Sequence, residues 1–289
     1  MASITVRAFA KINLSLHITA VRADGFHDVE TLLQAIDVFD RVKCETRKGP
    51  FGIRCDMPGV PTDRSNLVWK AAQLLWESAG RIGEARGTRV TLQKKIPMMA
   101  GLGGGSSDAA AALLGLRRLW KLRVSDEQLH AIASRLGSDV PFFLLGGTAL
   151  GLGRGDQLYP LENLPRYRVV LAIPPFGVAT PDAYRWFDET GQTDRGPGPS
   201  NTGFRIFPNV MLSNDLETPV AARHPVIGEL KKGLADEGAL MAAMSGSGST
   251  VFGVFSSASA ARRGARAVTS AGARALTARF FPRSPRRSR

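Results

Sequence analysis

IPMMAGLGGGSSDAAAALLGL, residues 96 to 116, joins a glycine-rich turn to a helix start. Gly101, Gly103, Gly104 and Gly105 fall within five residues, and Ser106, Ser107, Asp108 and an alanine run follow. Small residues opening a helix present several unpaired backbone N–H groups toward one point, where the helix dipole also favours negative charge. Glycine permits the tight turn and lets a bulky anion approach the backbone. A turn that only packs a helix on a sheet needs one or two glycines. The stretch therefore reads as a cradle for phosphate. It is not the Walker type, because no Gly-Lys-Ser/Thr follows Gly105, and the GxGxxG spacing is met neither from Gly101 nor from Gly103. The His-Arg-Asp and Asp-Phe-Gly signatures of protein kinases are absent from the sequence.

Around this loop the chain alternates strand and helix patterns. Residues 4–18 alternate apolar and polar side chains and predict a strand, and DGFHDVETLLQAIDVFDRVKCET predicts a turn followed by an extended segment. Residues 65–80 predict a helix with Ser65 as N-cap and Gly80 past its end. TRVTLQKKIP is a strand running into the glycine loop, a helix follows over about 106–120, and SDEQLHAIASRLG is a helix with Ser125 and Gln128 as a capping box. Turns break the pattern between 151 and 168, where a new strand, RVVLAIPP, begins and a domain boundary is expected. Beyond it come a Gly/Pro/Ser loop at 190–203, expected to be mobile, and a helix in HPVIGELKKGLADEGAL. MAAMSGSGSTVFGVF reads as a turn entering a strand, and 257–275 as an alanine-arginine helix. The class is two-domain α/β or α+β.

The 289 residues are 44% hydrophobic and 22% charged, which is ordinary for a globular chain. No apolar run is long enough to span a membrane and no signal-type block opens the sequence. Cys44 and Cys55 stand alone, without a CxxC or a nearby histidine pair, so a reduced cytoplasmic protein without structural zinc is expected. The net charge of +13 suggests nucleic acid until it is located: nine arginines lie between residue 256 and the end with no acid among them, and removing them leaves +4. The body is not a nucleic-acid binder by charge, although the basic tail RFFPRSPRRSR offers counterion release to RNA or anionic lipid.

PMMAGLGGGSSDAAAAL resembles the phosphate loop of the GHMP small-molecule kinases, and AFAKINLSL and MSGSGSTVFGVF resemble two further segments of that family in the same order. Within it, RADGFHDVETLLQAID, the extended GLGGGSSDAAA and LGSDVPFFL resemble the branch whose substrate is 4-diphosphocytidyl-2-C-methyl-D-erythritol. The resemblance implies a two-domain α/β (α+β) fold: a ribosomal-protein-S5-domain-2-like N-terminal domain over 1–155 and a smaller ferredoxin-like α+β domain over 156–278. A basic, mobile tail would cover 279–289, and the site would lie between the domains. It further implies an ATP-dependent, Mg²⁺-assisted phosphorylation of that substrate's 2-hydroxyl.

The same resemblance distributes roles. Asp139 would be the catalytic base and Lys11 its cationic partner. ATP would be held by Pro97, Met98, Met99, Ala100, Gly101, Leu102, Gly103, Gly104, Gly105, Ser106 and Ser107, with Asn66 and Lys95 lining the adenine and ribose pocket. Ser106 or Ser107 would bring a hydroxyl to Mg²⁺, Ser106 being the metal candidate. Asn13, Phe26, His27, Thr180 and Tyr184 would hold the substrate, with His27 reading the cytosine edge and Phe26 and Tyr184 stacking on the base. Phe26 stands where the family more usually has tyrosine. Asp108, in the first helical turn, would repel phosphate if aimed at it, and is expected to point away or act through magnesium. Two rival readings are another small-alcohol kinase of the homoserine or mevalonate type, and an RNA-binding protein that uses the arginine-rich C-terminus.

Overall fold

The computed structural model describes residues 2–191 and 213–283. Most of the Gly/Pro/Ser stretch expected to be mobile and the last six residues lie outside them. The chain divides into two compact units, each built from separated segments: Met1–Ala10, Val38–Pro97 and Gly103–Leu145 in the first, Lys11–Asp37, Met98–Leu102 and Gly146–Arg289 in the second. Two long paired strands, β1 (Ser3–Val21) and β2 (His27–Pro50), contribute residues to both. The alternation at the start of β1 gives way to burial of both faces from Ala10 to Leu16, polar residues included.

In the first unit, β2 pairs antiparallel with β4 (Arg86–Gln93), and β3 (Gly52–Cys55) adds to β4 in parallel. Four helices accompany them: α1 (Leu67–Ser78), α2 (Gly104–Leu119), α3 (Asp126–Leu136) and α4 (Val140–Leu145). Their core joins Val42, Cys44, Val90 and Leu92 of the strands to Val68 and Leu75 of α1 and the alanines of α2. α2 is buried from Ser107 to Leu113 because alanine adds little bulk around its circumference. The cap of α1 is a correction to the sequence reading: Asn66, not Ser65, accepts from the Val68 N–H at 2.8 Å, while the Ser65 hydroxyl donates to Asp63. α2 also begins two residues earlier than expected, at Gly104. The α3 capping box of Ser125 and Gln128 is present as expected.

In the second unit, Thr31–Gln34 of β2 pair antiparallel with β5 (Thr148–Leu152), and β6 (Gln157–Pro160) pairs with β5. A separate four-stranded sheet contains β7 (Arg168–Ile173), β8 (Met241–Met244), β9 (Val251–Phe255) and β10 (Arg274–Arg279) in the order β10-β7-β9-β8, all antiparallel. With α5 (Thr180–Asp188), α6 (Glu217–Arg223) and α7 (Val226–Asp236) between the first two strands and α8 (Ala258–Ser270) between the last two, this is the ferredoxin-like arrangement. MAAM is a strand of its own, and the expected 257–275 helix stops at Ser270, where Gly272 turns the chain into β10.

The expected tail from 279 starts too early. Arg279 ends β10, its N–H donates to Asp37 at 2.6 Å, and Phe280 is 1% exposed.

Candidate functional site

The glycine loop is shaped by a different constraint at each glycine. Gly103 caps α2 with φ +69°, a left-handed conformation that penalises any side chain. At Gly101 a Cβ would lie 2.0 Å from the Ser245 carbonyl oxygen. A Cβ on Gly104 would meet Ile96 at 3.0 Å. Gly105 is exposed at the helix start and has nothing within 4 Å of its Cβ position, so the protein's own packing does not ask for glycine there. The open amides of this first turn fit a phosphate chain.

A buried charge cluster that the sequence reading missed secures the loop's entry and α2. The Lys94 ammonium bonds both Asp40 and Asp108, the latter at 2.5 Å, with all three side chains almost fully buried. Asp40 also accepts the Lys95 N–H, and the Ile96 N–H at 2.9 Å. The sequence pointed to Lys95, whose side chain is exposed, rather than to its neighbour. Asp108 points inward, one of the two arrangements expected, but because α2 begins at Gly104 it lies beyond the first helical turn rather than in it. Burial foremost, and the Asp40 charge, push its carboxyl up to about 7 against the pull of Lys94. Burial works against the Lys94 ammonium, but the two carboxylates outweigh it and hold its pKa above the usual value.

The two candidate hydroxyls differ. Ser107 is buried and donates to the Phe9 carbonyl at 2.6 Å, which leaves Ser106 the one on the accessible side of the turn. Among the described residues no group of three or more His, Cys, Asp or Glu gathers as a metal cage. Mg²⁺ needs none where substrate phosphates and water fill most of its shell. The Asn66 amide is engaged by backbone, donating to the Pro61 carbonyl at 2.6 Å besides capping α1. Asp139 lies in the turn just before α4, in the first unit.

The second unit gathers Lys11, Asn13, the loop residues Gly101 and Leu102, and the SGSGST turn. The Lys11 N–H donates to the Leu102 carbonyl at 3.1 Å, and its ammonium to Asn13 Oδ1 at 2.5 Å. Ser245 links the rest: its hydroxyl donates to the Gly101 carbonyl at 2.9 Å and accepts the Asn13 N–H at 3.2 Å. Nothing in the sequence distinguished Ser245 from the other serines of the turn. The Thr180 and Ser247 hydroxyls lie 3.1 Å apart.

His27 and Tyr184 also meet, with ring centroids 4.8 Å apart at 32°. His27 Nε2 is 2.7 Å from Asp188 Oδ1, a partner absent from the sequence reading, which leaves Nδ1 as the uncommitted edge of the ring. Phe26 is 55% exposed with the Arg154 guanidinium 5.7 Å above its ring. The Asp-Gly turn is tied by Asp24, which accepts the Phe26 N–H at 3.1 Å and pairs with Arg22.

A glycine-built helix N-terminus in one unit and a ferredoxin-like sheet in the other are features of a small-molecule kinase, and the family models agree. GHMP kinases N terminal domain matches residues 66–147 and GHMP kinases C terminal matches 205–274. The chain belongs to the GHMP kinases. Within that family it is 40% identical over 272 residues to the 4-diphosphocytidyl-2-C-methyl-D-erythritol kinase of Synechococcus sp. (strain JA-2-3B'a(2-13)), spanning 89% of this chain and 86% of that one. The crystal structure of a 4-(cytidine 5'-diphospho)-2C-methyl-D-erythritol kinase matches with a TM-score of 0.76 and 34% identity, covering 96% of this chain and 99% of that one. Homoserine kinase from Cytophaga hutchinsonii, at 20% identity and a TM-score of 0.70 over 98% of this chain and 96% of its own, shares the fold.

Proposed function

We propose that the protein transfers the γ-phosphoryl group of ATP to the 2-hydroxyl of 4-diphosphocytidyl-2-C-methyl-D-erythritol, a step of the non-mevalonate route to isoprenoid precursors. The observation that carries this reading is the 40% identity, over 89% of the chain, to a relative named for that substrate. The backbone N–H groups of Gly104, Gly105 and Ser106 receive the ATP phosphates, and Gly105 leaves the approach unobstructed. The Ser106 hydroxyl would help the phosphates and water hold Mg²⁺, which would supply neutralisation of the phosphate charge.

Asp139 accepts the proton of the acceptor hydroxyl, and Lys11 stabilises the charge that develops during transfer. Asn13, His27, Phe26, Thr180 and Tyr184 hold the substrate, with the free Nδ1 edge of His27 turned to the cytosine. Among the described residues no helix is long and apolar enough to cross a membrane, which suits a soluble substrate of this kind. ADP release measured beside homoserine and mevalonate tests the assignment. Turnover with the cytidylyl substrate alone is expected, and preference for either of the others would overturn it.

A further inference from the structure

The orientation of one buried amide is part of how Lys11 is held. Lys11, Asn13 and Ser15 occupy alternate positions of β1, so they share one face of the strand. Thr31, on β2, meets this face. The Lys11 ammonium donates to Asn13 Oδ1 at 2.5 Å, Asn13 Nδ2 donates to Thr31 Oγ1 at 2.8 Å, and Thr31 Oγ1 donates to the Ser15 carbonyl at 2.7 Å. Lys11, Asn13 and Thr31 are 4%, 3% and 4% exposed, so water does not compete for these bonds.

An asparagine amide has nearly the same shape when flipped, and its hydrogen-bond partners choose between the two orientations. An ammonium offers only donors, so it requires the amide oxygen. A threonine hydroxyl carries one proton, and here a backbone carbonyl, which cannot donate, takes it. The hydroxyl oxygen can then only accept, and it requires the amide nitrogen. Thr31 and Lys11 thus select the same orientation from opposite ends, and the polarity of the chain originates at the Ser15 carbonyl.

We infer that Thr31 is a positioning residue for phosphoryl transfer, holding the Asn13 amide so that its oxygen carries the Lys11 ammonium. The inference rests on the catalytic role given to Lys11 above. Without the Thr31 hydroxyl, a buried amide N–H loses its acceptor and the amide is free to turn. The ammonium then loses a fixed partner rather than its charge. Misplacement of a catalytic group by a fraction of an ångström to one ångström lowers turnover without touching the nucleotide.

Thr31→Val keeps the shape and removes the hydroxyl, whereas Thr31→Ser keeps the hydroxyl. Thr31→Val is expected to lower kcat by about ten- to a hundredfold with the KM for ATP unchanged within about twofold, and Thr31→Ser to stay within about threefold of wild type. On a Lys11→Met background Thr31→Val should lower kcat no further, because its effect on kcat acts through Lys11. Unchanged kcat in folded Thr31→Val, or losses that multiply in the double variant, would overturn the inference. If Thr31→Val does not fold, Thr31→Ala, which adds no bulk, replaces it, and failure of both to fold makes Thr31 merely structural. If Lys11→Met collapses turnover and folded Thr31→Val does not, only the Thr31 inference fails. Wild-type turnover in Lys11→Met removes the catalytic role of Lys11, and the inference with it.

Discussion

Asp108 lies one turn into α2, behind the glycine-built first turn, and its carboxyl is folded back onto Lys94. Its folded value of about 7 lies above the ordinary carboxylate range near 4, so the folded state favours the protonated form. The stability this group contributes is complete below about pH 4 and is lost as pH rises through about 7. Nucleotide-free wild type should therefore lose stability relative to Asp108→Asn across that window. Urea denaturation of both proteins near pH 5 and pH 8 reads this directly, and parallel pH dependence would contradict it. Asp139→Asn belongs to the same scale: it preserves shape and removes the proton acceptor. Turnover should fall on the order of 10²-fold or more while ATP affinity stays, and a near-normal rate with the cytidylyl substrate would remove the base role.

The start of α2 is one element with two kinds of glycine. Gly101 and Gly103 serve the fold, the first through its approach to the Ser245 carbonyl and the second through its left-handed φ. Gly105 serves neither, because open space surrounds its Cβ position. Gly105→Ala should leave the melting temperature unchanged or raise it, by up to the roughly 0.5–1 kcal/mol that separates alanine from glycine in a helix. ATP affinity should fall by about tenfold, equivalent to about 1.4 kcal/mol, as the methyl enters the phosphate's space. Gly101→Ala should instead lose fold stability outright. Calorimetry and thermal melts separate the two effects, and unchanged ATP binding in a folded Gly105→Ala protein would argue against the cradle.

Over the whole chain, packing holds residues that composition alone would assign to the C-terminal tail. Phe280 pairs with Ile36 in an isolated bridge, receives the Tyr167 carbonyl on its N–H at 3.0 Å and sets its ring 5.8 Å from that tyrosine. Arg283 donates its N–H to Asn163 at 2.8 Å. Ending the chain after 283 should leave melting temperature and kinase turnover unchanged while removing three of the nine C-terminal arginines. Ending it after 278 should destabilise the protein by about 3–5 kcal/mol, the usual cost of deleting a buried phenylalanine. Equal melts for the two truncations would show that Phe280 contributes nothing. Retention of RNA by the full chain and not by the 283 form would favour a second role for the tail.

The sequence by itself determined what depends on neighbours along the chain. The small-residue run before an alanine helix, the Ser125–Gln128 box and the alternation of Lys11, Asn13 and Ser15 are local patterns; the first two survive in the structure, and the third keeps its residues on one strand face although both faces are buried there. The kinase family was legible for the same reason, since its three segments are short and contiguous. Tertiary structure decided which of two adjacent residues does a job. Lys94 rather than Lys95 is buried because its partner Asp40 lies 54 positions away on β2. Thr31 matters because β2 lays it against β1, 18 positions from Asn13. Ser245 reaches the glycine loop across 144 positions, and Asp188 reaches His27 across 161. A hydrogen bond is a condition on distance and angle in space, and at such separations no periodicity of the sequence encodes it.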